Sequence, residues 1–398
     1  MKGRVVFGFL TTCAFIMAVL VCAHAADKKP LKVGAIFSVT GKASWLGDPE
    51  KKTVAMIQDQ VNKTGGIDGY PLEVLVEDDE TSDAKAVNAA EKLISKENVL
   101  AIIGPSISGS SLAIKPICEK AKIPLVSCAA AEAIVTPIED SHFTFKTPQL
   151  DSHVAIRILE QIKKMGISKI GIMSETLAFG QQGRKQLQHY AKEMGIEIVA
   201  DETYGPADTD MTAQLKKIQS AGAQAVVNWS IVPAQSIVPK NMRQLGMKIQ
   251  LFQSHGFGNP NYIRASGEAA EGIIFPAGRL LVADALPANN PQKKVLTEYK
   301  SEYEKLYGPP VSTFGGHAYD ALWIVINAMK AKKITPDMDP VKARALIRDG
   351  IEETKGWVGT AGTFNMSPKD HTGLDKDGSL EMLVVEKGGK IIPLSQKK

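Results

Sequence analysis

Aromatic side chains are scarce in this chain of 398 residues, at 6%, and no run of like charge reaches five residues. A nucleic-acid binder carries a basic stripe; a formal net charge of +4 with evenly scattered lysines provides none. Cysteine is almost absent: of four, Cys13 and Cys22 fall in an N-terminal leader, leaving Cys118 and Cys128. Two cysteines do not make a disulfide scaffold, and the pair reads as buried thiols, with a single bridge left open. Beyond the leader no apolar run approaches the roughly 18 residues of a membrane span. Catalytic signatures are missing too. There is no H-E-x-x-H, no P-loop, no G-x-S-x-G elbow, and none of the seven histidines pairs at i, i+4.

What is present is globular: 44% hydrophobic and 23% charged residues, close to the average soluble domain. The length predicts two domains, each large enough to bury its own core. Lys2 and Arg4, the apolar stretch 5–22 and the small-x-small end Ala23-His24-Ala25 form the pattern of an export signal, with cleavage after Ala25. An uncleaved anchor is the alternative. A lipid-modified Cys22 is disfavoured by the bulky Val21 before it.

Short β-branched runs then alternate with amphipathic helix-length runs. Strands are predicted at 31–37, 72–77, 100–103 and 125–127, with helices at 49–62, 84–96 and 111–121 between them. The order restarts with strands at 169–173, 197–201, 225–229 and 250–253, separated by helices at 180–194, 211–221 and 234–245. Such alternation implies right-handed βαβ crossovers and parallel sheets covered on both faces. Lys32-Val33-Gly34-Ala35-Ile36 is echoed by Lys169-Ile170-Gly171-Ile172-Met173, as two copies of one layout would be. After about residue 276 come helices at 291–306, 316–329 and 340–349, a Gly-rich stretch at 356–362 and a closing strand region at 381–393. These late elements complete the two sheets, so the chain crosses between lobes more than once.

Ligands of doubly wound sheets bind beyond the carboxyl ends of the strands. Here those ends are loops 38–47, 105–109 and 128–133 in one lobe and 174–180, 230–233 and 254–258 in the other, facing each other across a cleft. Ser106, Ser108, Ser110 and Ser111 precede a helix whose free N–H groups suit a carboxylate; one of the serines also reads as a plain N-cap. Asp78-Asp79-Glu80 reads as a solvated loop rather than a metal site. Asp375–Ser379 opens like a calcium loop but lacks its remainder. His317, Tyr319 and Asp320 do not share one helical face, which makes two of them packing or hinge residues. Trp229 and Trp357 read as core.

Gly34–Gly41, the turn Thr64–Gly69, Glu77-Asp78-Asp79 and Ile103-Gly104-Pro105 with its serines resemble periplasmic binding proteins of the branched-chain amino-acid type. The resemblance covers nearly all of the chain after the leader. It implies an α/β fold, type I periplasmic binding protein, with two doubly wound parallel-sheet lobes joined by a three-crossing hinge. Lobe 1 comprises 26–146 plus about 277–355, and lobe 2 comprises 147–276 plus about 356–398. It further implies a monomeric periplasmic receptor that is not an enzyme, needs no cofactor or nucleic acid, and serves the membrane permease subunits of an ATP-driven importer. In such receptors a serine and nearby amides hold the α-carboxylate, and Ser108 matches that serine. Ala129 matches a carbonyl that accepts from the ammonium, and Ala131 replaces a threonine, so that hydroxyl is lost while the Ala131 amide remains to donate. The glutamate that neutralises the ammonium is replaced by His255. Leu46 stands where an aromatic packs on the ligand, with Trp45 beside it, and Phe179 stands where tyrosine is usual. Together with Ile231 these make the walls apolar.

A buried ammonium without a counter-charge costs several kcal/mol, far more than one methylene of fit contributes. An imidazole does not replace a carboxylate in that role, but it donates to a carboxylate, keto or hydroxyl oxygen. The residues therefore point to an anion without an α-amino group, an aromatic carboxylate or aryl keto acid, as in the aromatic-acid-binding branch that 129–137, 253–256 and 365–371 resemble. The alternative is a branched-chain or other hydrophobic amino acid, with Glu132 or Glu175 meeting the ammonium.

Overall fold

The computed structural model describes residues 28–397, so the leader read at 1–25 lies outside the described residues. Strand β1 (Leu31–Phe37) is buried at every position but Lys32, as a strand covered on both faces should be. It pairs on one side with β2 (Leu72–Asp78) and on the other with β3 (Ile102–Ile103). Beyond β3 lie β4 (Leu125–Ser127) and β5 (Thr144–Lys146), giving the order β2-β1-β3-β4-β5 with every pair parallel. Helices α1 (Ser44–Lys63), α2 (Asp83–Ser95) and α3 (Ser108–Ala121) make the crossovers. The winding reverses between β1 and β3, which opens a crevice at their carboxyl ends.

The second lobe repeats the layout. Helix α4 (Asp151–Lys164) leads into β6 (Lys169–Glu175), α5 (Ala178–Glu193), β7 (Glu197–Tyr204), α6 (Thr212–Ser220) and β8 (Ala225–Trp229). Then come α7 (Val238–Gln244), β9 (Gln250–Gln253), α8 (Pro260–Ser266) and β10 (Ile274–Ala277). The helix predicted over 234–245 is split. A 3-10 turn at Pro233–Ser236 precedes α7, and Pro239 stands in the first turn of that helix, where its missing N–H costs nothing. In this lobe the winding reverses between β6 and β8.

The chain then returns to lobe 1 as α9 (Lys293–Tyr307), α10 (Thr313–Ala331) and α11 (Pro340–Glu352). Ala318, Leu322, Val325 and Ile326 of α10 share one core with Val33, Ala35 and Phe37 of β1. A hairpin of β11 (Trp357–Val358) and β12 (Thr363–Phe364) follows. The division drawn at residue 356 is corrected here: Phe364, Met366 and Leu374 also pack in the lobe 1 core. The buried Asp320 explains this, since its carboxylate accepts from the amides of Thr360 (2.6 Å) and Ala361 (2.8 Å) and from Thr360 Oγ1 (3.0 Å). Only after a short turn at Lys376–Ser379 does the chain cross again, to add β13 (Glu381–Val385) and β14 (Ile391–Pro393) antiparallel to the edge of the second sheet. That sheet runs β14-β13-β10-β9-β8-β6-β7.

The crossings are tied together by Gln149, whose Nε2 donates to the carbonyls of Ala361 (3.0 Å) and Ser379 (2.9 Å). Thr147 Oγ1 donates to the His317 carbonyl at 3.0 Å. Cys118 and Cys128 are both buried and free, so no bridge joins them.

Candidate ligand-binding site

Where β1 ends, α1 passes so close that a Cβ on Gly47 would lie 2.2 Å from the Ser38 carbonyl carbon and oxygen. Only glycine permits that approach, and it brings the neighbouring Leu46 to the cleft. Ser38 N–H donates to Ser106 Oγ at 2.9 Å, bridging β1 and β3 across the reversal, and Ser106 Oγ also hydrogen-bonds Glu50. Glu50 is fully buried. Burial, with the charge of Asp79 adding to it, drives its carboxyl well above the ordinary range. Ser106 Oγ thus accepts from Ser38 N–H and donates to Glu50, which fixes the hydroxyl at the cavity wall. Helix α3 begins at Ser108 without a side-chain cap, so its first N–H groups remain available to an anion. Ser108 Oγ accepts from Ala131 N–H at 3.3 Å and keeps its own proton to donate.

Lobe 2 builds the opposite wall. Glu175 accepts from Ser230 Oγ (2.6 Å) and from Ile231 N–H (3.2 Å), and burial pushes its carboxyl up to about 7. These bonds hold the acid behind the wall and leave the Ile231 side chain in front. The single turn His255–Phe257 is started by Ser254 Oγ, which accepts from Gly256 N–H at 3.2 Å. The His255 ring stands edge-on to Phe179 (centroids 5.3 Å, 64°) and to Trp229 (5.9 Å, 79°). It is 7% exposed, and neither ring nitrogen has a hydrogen-bond partner. Burial, reinforced by the nearby Lys146 and His317, holds its pKa well below the usual imidazole value. The ring is therefore neutral and offers one donor and one acceptor.

Between the walls lies a narrow cavity, about 20 Å³ in this closed form, lined from lobe 1 by Leu46, Ser106, Ser108, Cys128, Ala129 and Ala130, with Phe314 and His317 of α10. Phe179, Ile231, His255 and Gly256 line it from lobe 2, and Pro148 from the hinge. That volume is room for about one water, so the closed form grips tightly and a ligand needs the lobes to part. No charged side chain lines it. The charge acting on His255 and His317 is that of Lys146, fully buried, with its Nζ donating to the carbonyls of Pro148 (2.9 Å) and Gln149 (3.0 Å). The lobes are closed over the cavity. Trp45 meets Tyr262 across the cleft (5.1 Å), Asn259 Nδ2 donates to the Trp45 carbonyl (2.8 Å), and Thr313 N–H donates to the Gly258 carbonyl (3.0 Å). Larger hollows on lobe 2 are open grooves flanked by Glu268 and Glu271, away from the strand ends at the cleft.

The family model for periplasmic binding proteins matches residues 30–389. The chain belongs to that family. A curated relative, the leucine-, isoleucine-, valine-, threonine-, and alanine-binding protein of Pseudomonas aeruginosa, is 23% identical over 354 residues, 88% of this chain and 87% of that protein. Among solved structures, an extracellular ligand-binding receptor from Rhodopseudomonas palustris HaA2 superposes with a TM-score of 0.86 at 31% identity, covering 92% of this chain and all of that one. The branched-chain amino acid transporter substrate binding protein LivJ from Streptococcus pneumoniae, in complex with isoleucine, does so at 0.77 and 23% identity over the same shares, a likeness of fold. The two-lobed α/β architecture is thus that of a type I periplasmic binding protein.

In this periplasmic binding protein, Leu46, Ser106, Ser108, Ala129, Phe179, Ile231 and His255 all line the one cavity. Two other sequence-predicted residues do not. Trp45 faces Tyr262 at the lobe interface. Ala131 lies behind the wall, and its amide, expected to serve a ligand, is taken by Ser108. Glu132 and Glu175, the acids considered for an ammonium, are absent from the lining. Cys128, Ala130 and Gly256 line the cavity from loops that the sequence placed at the cleft, without having been singled out; Pro148, Phe314 and His317 lie outside those loops and were missed. Of these His317 carried a signal, a histidine early in a helix beside Tyr319 and Asp320. Tyr319 packs on Tyr299 (5.2 Å) and Asp320 pins the 360–361 turn, so packing roles hold for those two alone.

Proposed function

We propose that this periplasmic binding protein is the exported, monomeric receptor of an ATP-driven importer, and that it captures a small carboxylate lacking an α-ammonium and hands it to membrane permease subunits. An aromatic or aryl keto acid is the cargo that suits the site best. The observation that carries this reading is His255: a buried, neutral imidazole at the position where an ammonium needs a carboxylate, in a cavity without acidic lining. The Ser108 hydroxyl and the start of α3 supply the donors for the carboxylate, and the buried Lys146 adds a positive field. Leu46, Phe179, Ile231 and Phe314 supply apolar surface for a flat or hydrophobic body. Capture proceeds by hinge closure, because only the closed form lets a ligand touch both lobes.

A second reading, capture of a branched-chain or other hydrophobic amino acid, is favoured by the names of the curated relatives, the Pseudomonas aeruginosa protein among them. Under that reading the ammonium must be met by carbonyls such as that of Ala129. Isothermal titration with benzoate, benzoylformate, 4-hydroxybenzoate and leucine separates the two. Binding of the aryl acids without leucine supports the first; tight leucine binding with no response to the aryl acids overturns it.

A further inference from the structure

We propose that His255 and His317, one imidazole from each lobe, clasp a second, uncharged oxygen of the ligand, so that the cargo is a hydroxy- or oxo-carboxylate rather than a bare carboxylate. This inference rests on the carboxylate reading above and adds a requirement to it.

His317 stands early in α10, on the lobe 1 side of the same cavity. Gly315 and Gly316 before it let that turn press against Tyr299 and Thr360, where a Cβ would lie 2.4 Å from the Tyr299 hydroxyl oxygen and 2.7 Å from Thr360 Oγ1. Its carbonyl accepts from Thr147 Oγ1 in the first hinge crossing, which fixes the ring relative to the hinge. The side chain is buried, with 6% of the residue exposed, and Nδ1 has no hydrogen-bond partner. Burial and the charge of Lys146 take its pKa down to about 3, so this ring too is neutral.

Buried polar atoms in native proteins are almost always paired. Here three ring nitrogens, both of His255 and Nδ1 of His317, are unpaired around one cavity. A carboxylate seated at Ser108 and the start of α3 consumes donors of lobe 1 only and leaves all three nitrogens as they are. A hydroxyl accepts from one imidazole and donates to the other, and a carbonyl accepts from both when each turns its N–H inward. Either oxygen satisfies the two lobes at once and rewards closure. The pair does not read as a metal site, because among the described residues no group of three or more metal-ligating side chains comes together, and burial keeps the neighbouring Cys128 a thiol.

The test is calorimetry on the intact protein with benzoate, mandelate, benzoylformate and leucine, for wild type, His317→Phe and His317→Asn, the last presenting an amide where Nδ1 stood. Wild type is expected to bind mandelate or benzoylformate at least about tenfold tighter than benzoate, since a site built for an oxygen discriminates against its absence. That ratio collapses in His317→Phe and recovers in His317→Asn, a pattern that a merely structural role or a general loss of folding does not produce. Benzoate binding as tightly as its oxygenated partners, or a ratio unmoved in His317→Phe, overturns this inference alone. Leucine binding without any aryl acid overturns the carboxylate reading and this inference with it.

Discussion

Each lobe sets a buried glutamate, Glu50 within α1 or Glu175 at the end of β6, against a serine just past the strand across its winding reversal, and the two pairs are used differently. In lobe 1, Glu50 bonds to Ser106, and that serine itself forms part of the cavity wall. In lobe 2, Glu175 bonds to Ser230 and to the Ile231 amide, and what the cavity receives is the Ile231 side chain. The two pairings thus back a polar wall able to donate to negative oxygen and an apolar wall whose only titratable group is a neutral histidine. A ligand with its charge at one end and an uncharged body at the other complements that asymmetry. An ammonium on the lobe 2 side does not.

The largest effect is expected from abolishing the asymmetry. His255→Glu places a carboxylate on the apolar wall; titration should show aryl-acid affinity falling by about a hundredfold or more while leucine gains, since an uncompensated buried charge is worth several kcal/mol. Unchanged selectivity would show that the wall's charge does not govern the choice. The second effect concerns stability. Glu175 is raised from 4.5 to about 7 in the folded protein, so the folded state holds this proton more tightly than the unfolded chain. Its contribution is fully present below about pH 4.5 and is lost as pH rises to about 7, up to about 3 kcal/mol in all. Glu175→Gln does not titrate; its melting temperature should gain on wild type between pH 5 and pH 8, and parallel curves would contradict the assignment. On the polar wall, Ser108→Ala removes a donor to the carboxylate and strands the Ala131 amide, weakening binding by about 2 kcal/mol. The smallest effect belongs to Trp45→Ala, which removes the ring that meets Tyr262 across the cleft and should shorten ligand residence by about 1 kcal/mol in stopped-flow release without changing which ligands bind.

Much of this is legible in the sequence. The βαβ alternation placed six loops at one cleft, and the cavity draws a wall residue from each of them. What escaped the sequence depended on partners distant along the chain. Residues 356–374 carry no periodicity to assign them to a lobe; Asp320, a buried acid 40 residues before Thr360, decides it. Lys146 sits at the end of a three-residue strand, too short for any pattern to announce, and only packing shows that its charge is buried at the hinge. The Ala131 amide looked free because nothing local reveals that Ser108 would accept from it. His317 was visible as a histidine, but its facing the cavity follows from the two glycines that let α10 approach Tyr299 and Thr360.

The central claim is that the site offers no counter-charge to an ammonium, and a matched pair of ligands tests it with the body held constant. Leucine and its keto acid, 4-methyl-2-oxopentanoate, share every carbon and differ in carrying a positive charge or an oxygen at the position beside the carboxylate. Calorimetric titration of the ligand-free protein with each should give the keto acid the tighter binding, by about a hundredfold. Leucine binding more tightly than its keto acid would contradict the claim outright.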